Sequence, residues 1–201
     1  MNIEPEMAQS KQYPIRELKP ELISDYLSFF DHDAFADNPG WGFCYCRFHH
    51  FPHTLRDWRK TTAEENRAVA IDLIHDGTLH GYLAYYGDKP IGWCNAGPRT
   101  KMTTSPDYHE PDASMIGSIM CFVISKDYRR KGVARTLLEA ACAGFLSQGL
   151  AIAEAYVLKD AQGDARNYPG PLSMYLSAGF TSYREYSSDG DDTIIVRKKL
   201  I

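Results

Sequence analysis

The sequence is poor in the features that mark several common classes of protein. No uninterrupted apolar run is long enough to cross a bilayer, and the opening stretch MNIEPEMAQSKQYP has no apolar core of signal-peptide length. Neither a membrane protein nor an exported one is indicated, and the chain is expected in the cytoplasm. Positive charge is scarce: 22 Lys and Arg against 26 Asp and Glu leave a formal net charge of −4, which argues against a general nucleic-acid or membrane-surface binder. Cysteine is sparse and odd in number, five in all, so reduced thiols are expected and not a disulfide framework. Neither GxxxxGK[ST] nor GxGxxG occurs, which removes two common glycine-rich phosphate loops. There is no internal repeat and no low-complexity tract.

What is present fits one α/β domain. The 201 residues are enough to bury a core, and 44% hydrophobic with 24% charged residues is ordinary for a globular chain. Aromatics reach 12%, with 13 tyrosines, an excess that suggests a lined cavity. Residues 1–12 read as a flexible polar tail and 13–201 as a single domain. After Pro20, Leu22, Ile23, Tyr26, Leu27, Phe30 and Ala34 follow a helical period. A second helix is expected over 61–75, capped by the Thr61–Thr62 pair. GYLAYYGDKPIGWCNAG reads as a hairpin, SIMCFVIS as a strand buried on both faces, and Val133 to Leu146 as a helix stopped by Gly149. AIAEAYVL is another buried strand, GPLSMYLSAGF a short helix closed by Gly179, and the last twenty residues two strands joined by an Asp-Gly turn.

The segment YRRKGVA stands out, because three cations and a glycine fall at the junction of the buried strand and the following helix. The first turn of a helix presents backbone N–H groups with no intrahelical acceptor, and the helix dipole adds partial positive charge there. A glycine at that point lets an anion reach the backbone. Arg129, Arg130, Lys131 and Arg135 surround it with whole charges. A solvated basic surface with a glycine cap is the alternative reading.

FVISKDYRRKGVARTLLEAA resembles motif A of the GNAT superfamily of N-acetyltransferases, [RQ]-x-x-G-x-[GA] between a strand and a helix, with Arg129, Gly132 and Ala134 at the defining places. SMYLSAGF resembles the superfamily's closing Y-x-x-x-G-F signature, and GWCNAGPR and the CYC stretch are similar to a bacterial subgroup whose substrates are mostly unassigned. The resemblance implies a mixed, mostly antiparallel sheet flanked by helices and splayed at an acetyl-CoA site. It implies acetyl transfer to a primary amine of a small molecule or peptide by direct attack in a ternary complex, in a monomer or homodimer. It implies that Arg129, Arg130, Lys131, Gly132, Val133, Ala134, Arg135 and Thr136 hold the pyrophosphate, and that backbone groups of Phe122, Val123 and Ile124 hold the pantetheine arm and the acetyl oxygen. Tyr175 then matches the acid that protonates the departing thiolate, with packing as its alternative. Glu154, a charge inside an apolar strand, matches a general base, with pairing to a nearby arginine as its alternative. The stretch KDAQGDARNYPGP departs from the superfamily's pattern and is expected to reshape the cleft rim.

Between the first two helices, the loop containing Trp41, Phe43, Tyr45, His49 and His50 is expected to line the acceptor pocket. Cys44, Cys46, His49, His50 and His53 supply zinc-ligand types, but C-x-C is too tight for a usual zinc knuckle, and no metal is assigned. Two other functions stay open: a non-catalytic acyl-CoA sensor, and a metal-binding protein built on the Cys44–His53 loop.

Overall fold

Seven strands form one sheet in the order β1-β2-β3-β4-β5-β7-β6. The structure, a computed structural model, describes residues 13–104, 112–159, 161–188 and 191–201. In chain order these hold β1 (Ile15–Glu17), α1 (Ile23–His32), α2 (Ala63–His75), β2 (Gly81–Tyr86), β3 (Lys89–Pro98), β4 (Ile116–Ile124), α3 (Val133–Ser147), β5 (Ile152–Leu158), α4 (Gly163–Arg166), α5 (Leu172–Ser177), β6 (Thr181–Ser188) and β7 (Asp191–Lys199). Only β4 and β5 pair in parallel; every other neighbouring pair is antiparallel. This is the mixed, mostly antiparallel sheet expected of the sequence. The expected flexible tail and the Asp-Gly turn of the last hairpin lie outside the described residues.

Periodicity explains which face each element buries. Val133, Leu137, Leu138, Ala141 and Phe145 of α3 recur at helical spacing and pack with Ala153, Ala155 and Val157 of β5 in one core. Leu146 was expected on that face but lies 46% exposed, because one residue past Phe145 turns the side chain about 100° away. On the other face, Tyr26, Phe29 and Phe30 of α1 and Ala70 and Ile74 of α2 pack with Leu83, Tyr85 and Trp93. α2 begins after Thr62, whose hydroxyl accepts the Glu65 N–H at 3.1 Å, a cap worth about 1 kcal/mol.

The sheet comes apart in one place. β4 and β5 pair only from Ile116↔Ile152 to Ile119↔Ala155, and beyond that Phe122 to Ile124 and Tyr156 to Leu158 diverge. The cause is visible in the register of β3 with β4, where Asn95 faces Cys121 but Ala96 faces Ile119. Met120 is therefore an extra residue on β4, and such a bulge bends the strand that carries it.

Candidate functional site

The turn between β4 and α3 is built by two residues in the left-handed region, Arg130 at φ 59° and Gly132 at φ 86°. Gly132 is the N-cap of α3, and a Cβ placed on it would meet no atom within 4 Å. Glycine is thus required here by conformation, and the space in front of it is open to a ligand. The Val133, Ala134 and Arg135 amides of the first turn have no intrahelical acceptor, while Thr136 bonds back to the Gly132 carbonyl at 3.1 Å. The side chains are less uniform than the sequence suggests. Arg129 turns away from the turn to grip Asp37 through two bonds of 2.6 and 2.8 Å and the Ile124 carbonyl at 3.0 Å. Those bonds hold the Asp37 carboxyl below its ordinary range. Arg135 is committed to Glu139 at 2.6 Å and Ser177 at 2.7 Å. Arg130 and Lys131 are exposed at the rim.

Beside the turn, the backbone of β4 faces the gap left by the splay. Phe122 N–H donates to the Tyr168 carbonyl at 2.6 Å, and the Ile124 carbonyl receives Arg129. Because main-chain polar groups alternate along a strand, Val123 directs its own toward β3. Of the three positions expected to offer backbone groups to a bound arm, two therefore face the gap and one does not. Nothing local to β4 signals that the Phe122 amide is met by Tyr168, 46 positions further along the chain. Tyr168 is set there by Gly170, at φ 88°, packed so closely that a Cβ would come within 2.6 Å of Met174, 3.3 Å of Tyr175 and 3.4 Å of Phe122.

Along the splayed end of β4 is a cavity of about 680 Å³. Its walls include Phe35, Trp41, Phe43, Phe48, Trp58 and Tyr168, together with His49, Asp37, Arg129 and the edge of β4 from Cys121 to Ile124. Trp41, Phe43 and His49 line this cavity. Tyr45 and His50 do not. Tyr45 is buried against Phe30, with its hydroxyl donated to Asp31 at 2.6 Å. His50 is held in the core by the Lys101 carbonyl at 3.1 Å and Asn95 at 3.2 Å. The loop has no period from which inward and outward residues could be told apart, so aromatic content alone misassigned these two. His49 shares a hydrogen bond of 2.8 Å with Thr104 through Nδ1; burial pushes its pKa down to about 3, so it is a neutral imidazole at pH 7.

Two further residues sit differently from their expected roles. Glu154 is fully buried and clamped: one oxygen receives Arg99 at 2.5 Å and the Tyr156 hydroxyl, the other Arg197 at 2.7 Å. With both oxygens occupied by guanidinium groups and a hydroxyl inside the sheet, Glu154 matches the pairing alternative and not the place of a base that meets a substrate. Tyr175 is also fully buried, its hydroxyl donated to the Pro169 carbonyl at 2.5 Å, and burial raises its pKa well above the ordinary value. While residues 167–170 stay in place, that proton is directed at a carbonyl and not into the gap. Among the described residues no three His, Cys, Asp or Glu side chains converge as a metal-ligand set, and no helix is long and apolar enough to cross a membrane.

The splay of the sheet, the helix start with amides open to an anion and the pocket along β4 thus come together around residues Phe122 to Arg129. The chain belongs to the acetyltransferase (GNAT) family, which residues 42–169 match; it is an acetyltransferase-family protein with an acetyl-CoA-binding fold. No curated protein sequence matches it. An N-acetyltransferase from Staphylococcus aureus Mu50 is 12% identical with a TM-score of 0.59, over 95% of this chain and 100% of that one. The ribosomal-protein-alanine N-acetyltransferase of Brucella melitensis is 15% identical with a TM-score of 0.55, over 92% and 99%. The Salmonella typhimurium protein yncA, determined with its cofactor acetyl-CoA, is 12% identical with a TM-score of 0.54, over 94% of both chains. At these identities the likeness is one of fold.

Proposed function

We propose that the protein transfers the acetyl group of acetyl-CoA to the nitrogen of an apolar amine that enters the aromatic pocket as the free base. The observation that carries this reading is that the pocket runs along the splayed end of β4 from Cys121 to Ile124 and reaches Arg129 at the start of the α3 turn. The amides of Val133, Ala134 and Arg135 beside Gly132, rimmed by Arg130 and Lys131, suit a pyrophosphate, and Thr136 closes the turn onto the Gly132 carbonyl. Arg129 and Arg135 support the turn by bracing it to Asp37 and Ser177. Acetyl-CoA, when bound, supplies an activated thioester. The gap-facing backbone of Phe122 and Ile124 would orient the acyl end, once the Tyr168 carbonyl gives up the Phe122 amide.

Trp41 and Phe43 offer apolar surface to the acceptor, and neutral His49 offers an acceptor for an amine N–H. Among the described residues that line the pocket the one carboxylate, Asp37, is matched by Arg129, so none of these would draw in an ammonium ion, and a cation would lose its hydration there. This favours a weakly basic amine, such as one carried on an aromatic ring, over a polyamine. Tyr175 acts as proton donor to the thiolate only in a state where its bond to Pro169 is released; Glu154 holds Arg99 and Arg197 in place. The committed Tyr175 hydroxyl and the occupied Phe122 amide also support a second reading, a sensor that binds acyl-CoA without turnover.

Calorimetric titration with acetyl-CoA and with S-acetylpantetheine, which lacks the pyrophosphate, tests the cofactor site. Tight binding of the first, weak binding of the second and loss of the first in Gly132→Glu are expected; equal binding of both would remove the phosphate-turn reading. Turnover of an arylamine but not of spermidine is expected of the enzyme. Binding with no turnover of any amine would favour the sensor.

A further inference from the structure

Two thiols meet in the pocket wall, and no step of the proposed reaction uses them. Cys46 and Cys121 are 2% and 9% exposed, yet both border the cavity. Cys46 reaches this position through unusual backbone, since Tyr45 and Cys46 have φ of 43° and 48°. Consecutive non-glycine residues in the left-handed region are disfavoured, and such strain gathers where a fold holds a group for use. The Cys46 sulfur rests in a polar socket at the bulge of β4. Asn95 Nδ2 lies 3.5 Å from the sulfur and 3.2 Å from the Cys46 carbonyl, and Asn95 is paired with Cys121 across β3 and β4. The Cys121 thiol acts on the same sulfur, and the Trp93 indole N–H is buried nearby with no hydrogen-bond partner among the described residues. The Asn95 Oδ1 is buried and without a partner among the described residues.

The pair is asymmetric. The polar hydrogens of Cys121 first, then Trp93 and Asn95, lower the Cys46 pKa in spite of burial, whereas its bond to Cys46 and burial raise that of Cys121 well above the ordinary thiol value. Thiolate character decides which sulfur attacks first. Cys44, the neighbour that the C-x-C spacing would pair with Cys46, is pushed up to about 12 by burial and faces the backbone of residues 46–48.

We propose that Cys46 and Cys121 are a two-electron redox pair, oxidised to a disulfide by a hydroperoxide that enters the acceptor pocket. The Cys46 thiolate attacks the distal peroxide oxygen and the O–O bond breaks. The alkoxide leaves as an alcohol, taking up the proton lost by Cys46, and Cys46 becomes a sulfenic acid. The Cys121 sulfur then attacks Cys46; the S–S bond forms as the S–O bond breaks, and hydroxide leaves as water with the Cys121 proton. Two thiols and one hydroperoxide give one disulfide, one alcohol and one water, the sulfurs losing the two electrons that the O–O bond accepts. The bridge ties the loop after α1 to the splayed end of β4 and removes two of the three thiols that line the pocket, leaving Cys44. The cross-link stands independently of the acetyl-transfer reading; only its effect on acceptor binding rests on that reading.

The full chain, reduced, desalted and exposed to tert-butyl hydroperoxide, is alkylated with N-ethylmaleimide and mapped as peptides without reductant. The expected product joins the Cys46 and Cys121 peptides, lacks two hydrogen atoms in mass and is reversed by dithiothreitol. Cys121→Ala should instead give a Cys46 sulfenic acid that dimedone traps, and Cys142→Ala should leave the link intact. A Cys44–Cys46 link, or full alkylation of Cys46 and Cys121 in the wild-type chain after peroxide, would overturn the proposal. Because the wild-type map decides it, the outcome does not depend on any variant folding.

Discussion

The α3 turn and the pocket along β4 are built by different means. At the α3 turn, the groups that face the open space are main-chain amides, and the conformation of one glycine sets their direction. In the pocket the wall is mostly side chains: aromatic rings, a neutral imidazole and three thiols, held in part by a loop with strained backbone. A main-chain site tolerates changes in its decoration but fails if its backbone is altered. A side-chain site behaves the other way, since each ring is a separate part of the wall.

The hardest test falls on the support beneath the pocket. Glu154→Ala leaves Arg99 and Arg197 buried without their shared counter-charge and should cost about 3–5 kcal/mol of stability, read as a fall in the urea midpoint. If the loss is under about 1 kcal/mol, the clamp is not structural. Gly132→Glu combines a left-handed non-glycine residue with a negative charge at the helix start, and should weaken acetyl-CoA binding by about 100-fold or more by calorimetry. Trp41→Ala should leave that affinity alone and raise the acceptor KM about tenfold, on the usual scale for truncating an aromatic contact; a change in cofactor affinity instead would merge the two sites.

Acidification should reach the pocket before the turn. His49 binds no proton in the folded state until about pH 3 but does so near 6.5 when unfolded. Unfolded chains therefore hold more protons between those values. Stability is fully present above about pH 6.5 and falls as the pH drops toward 3, with buried His50 adding in the same direction. Thermal melts from pH 7.5 to 5 check this, and His49→Asn should flatten the slope. The smallest effect is expected for Lys131→Ala, less than about threefold in acetyl-CoA affinity, because an exposed charge is largely screened.

What could be read in the sequence follows the same division. The α3 turn was legible because its parts are contiguous: a buried strand, three cations, Gly132 and a helical period in seven residues of one another. The element order and the aromatic loop were legible for similar local reasons. The clamp on Glu154 was not, because Arg99 and Arg197 lie 55 and 43 positions away, although a lone carboxylate in an apolar strand did signal that something must answer it. Arg129 was assigned to phosphate because its partner, Asp37, is 92 positions distant. The strand β1 escaped notice at three residues. Nor do Tyr45 and Cys46 announce their left-handed backbone, since no glycine marks it.

The carbonyl of Tyr168 against the Phe122 amide has a meaning beyond the site. A sheet that splays internally exposes two strand edges in its middle, and an unpaired edge is a template on which another chain can add a strand. Closing that edge with a short segment of the same chain, punctuated by Pro169 and Gly170 so that it cannot extend into a strand of its own, lets the protein keep a gap for a ligand and still withstand self-association while the gap is empty. The stretch from Asn167 to Gly170 thus serves as a selvedge on the fabric of the sheet.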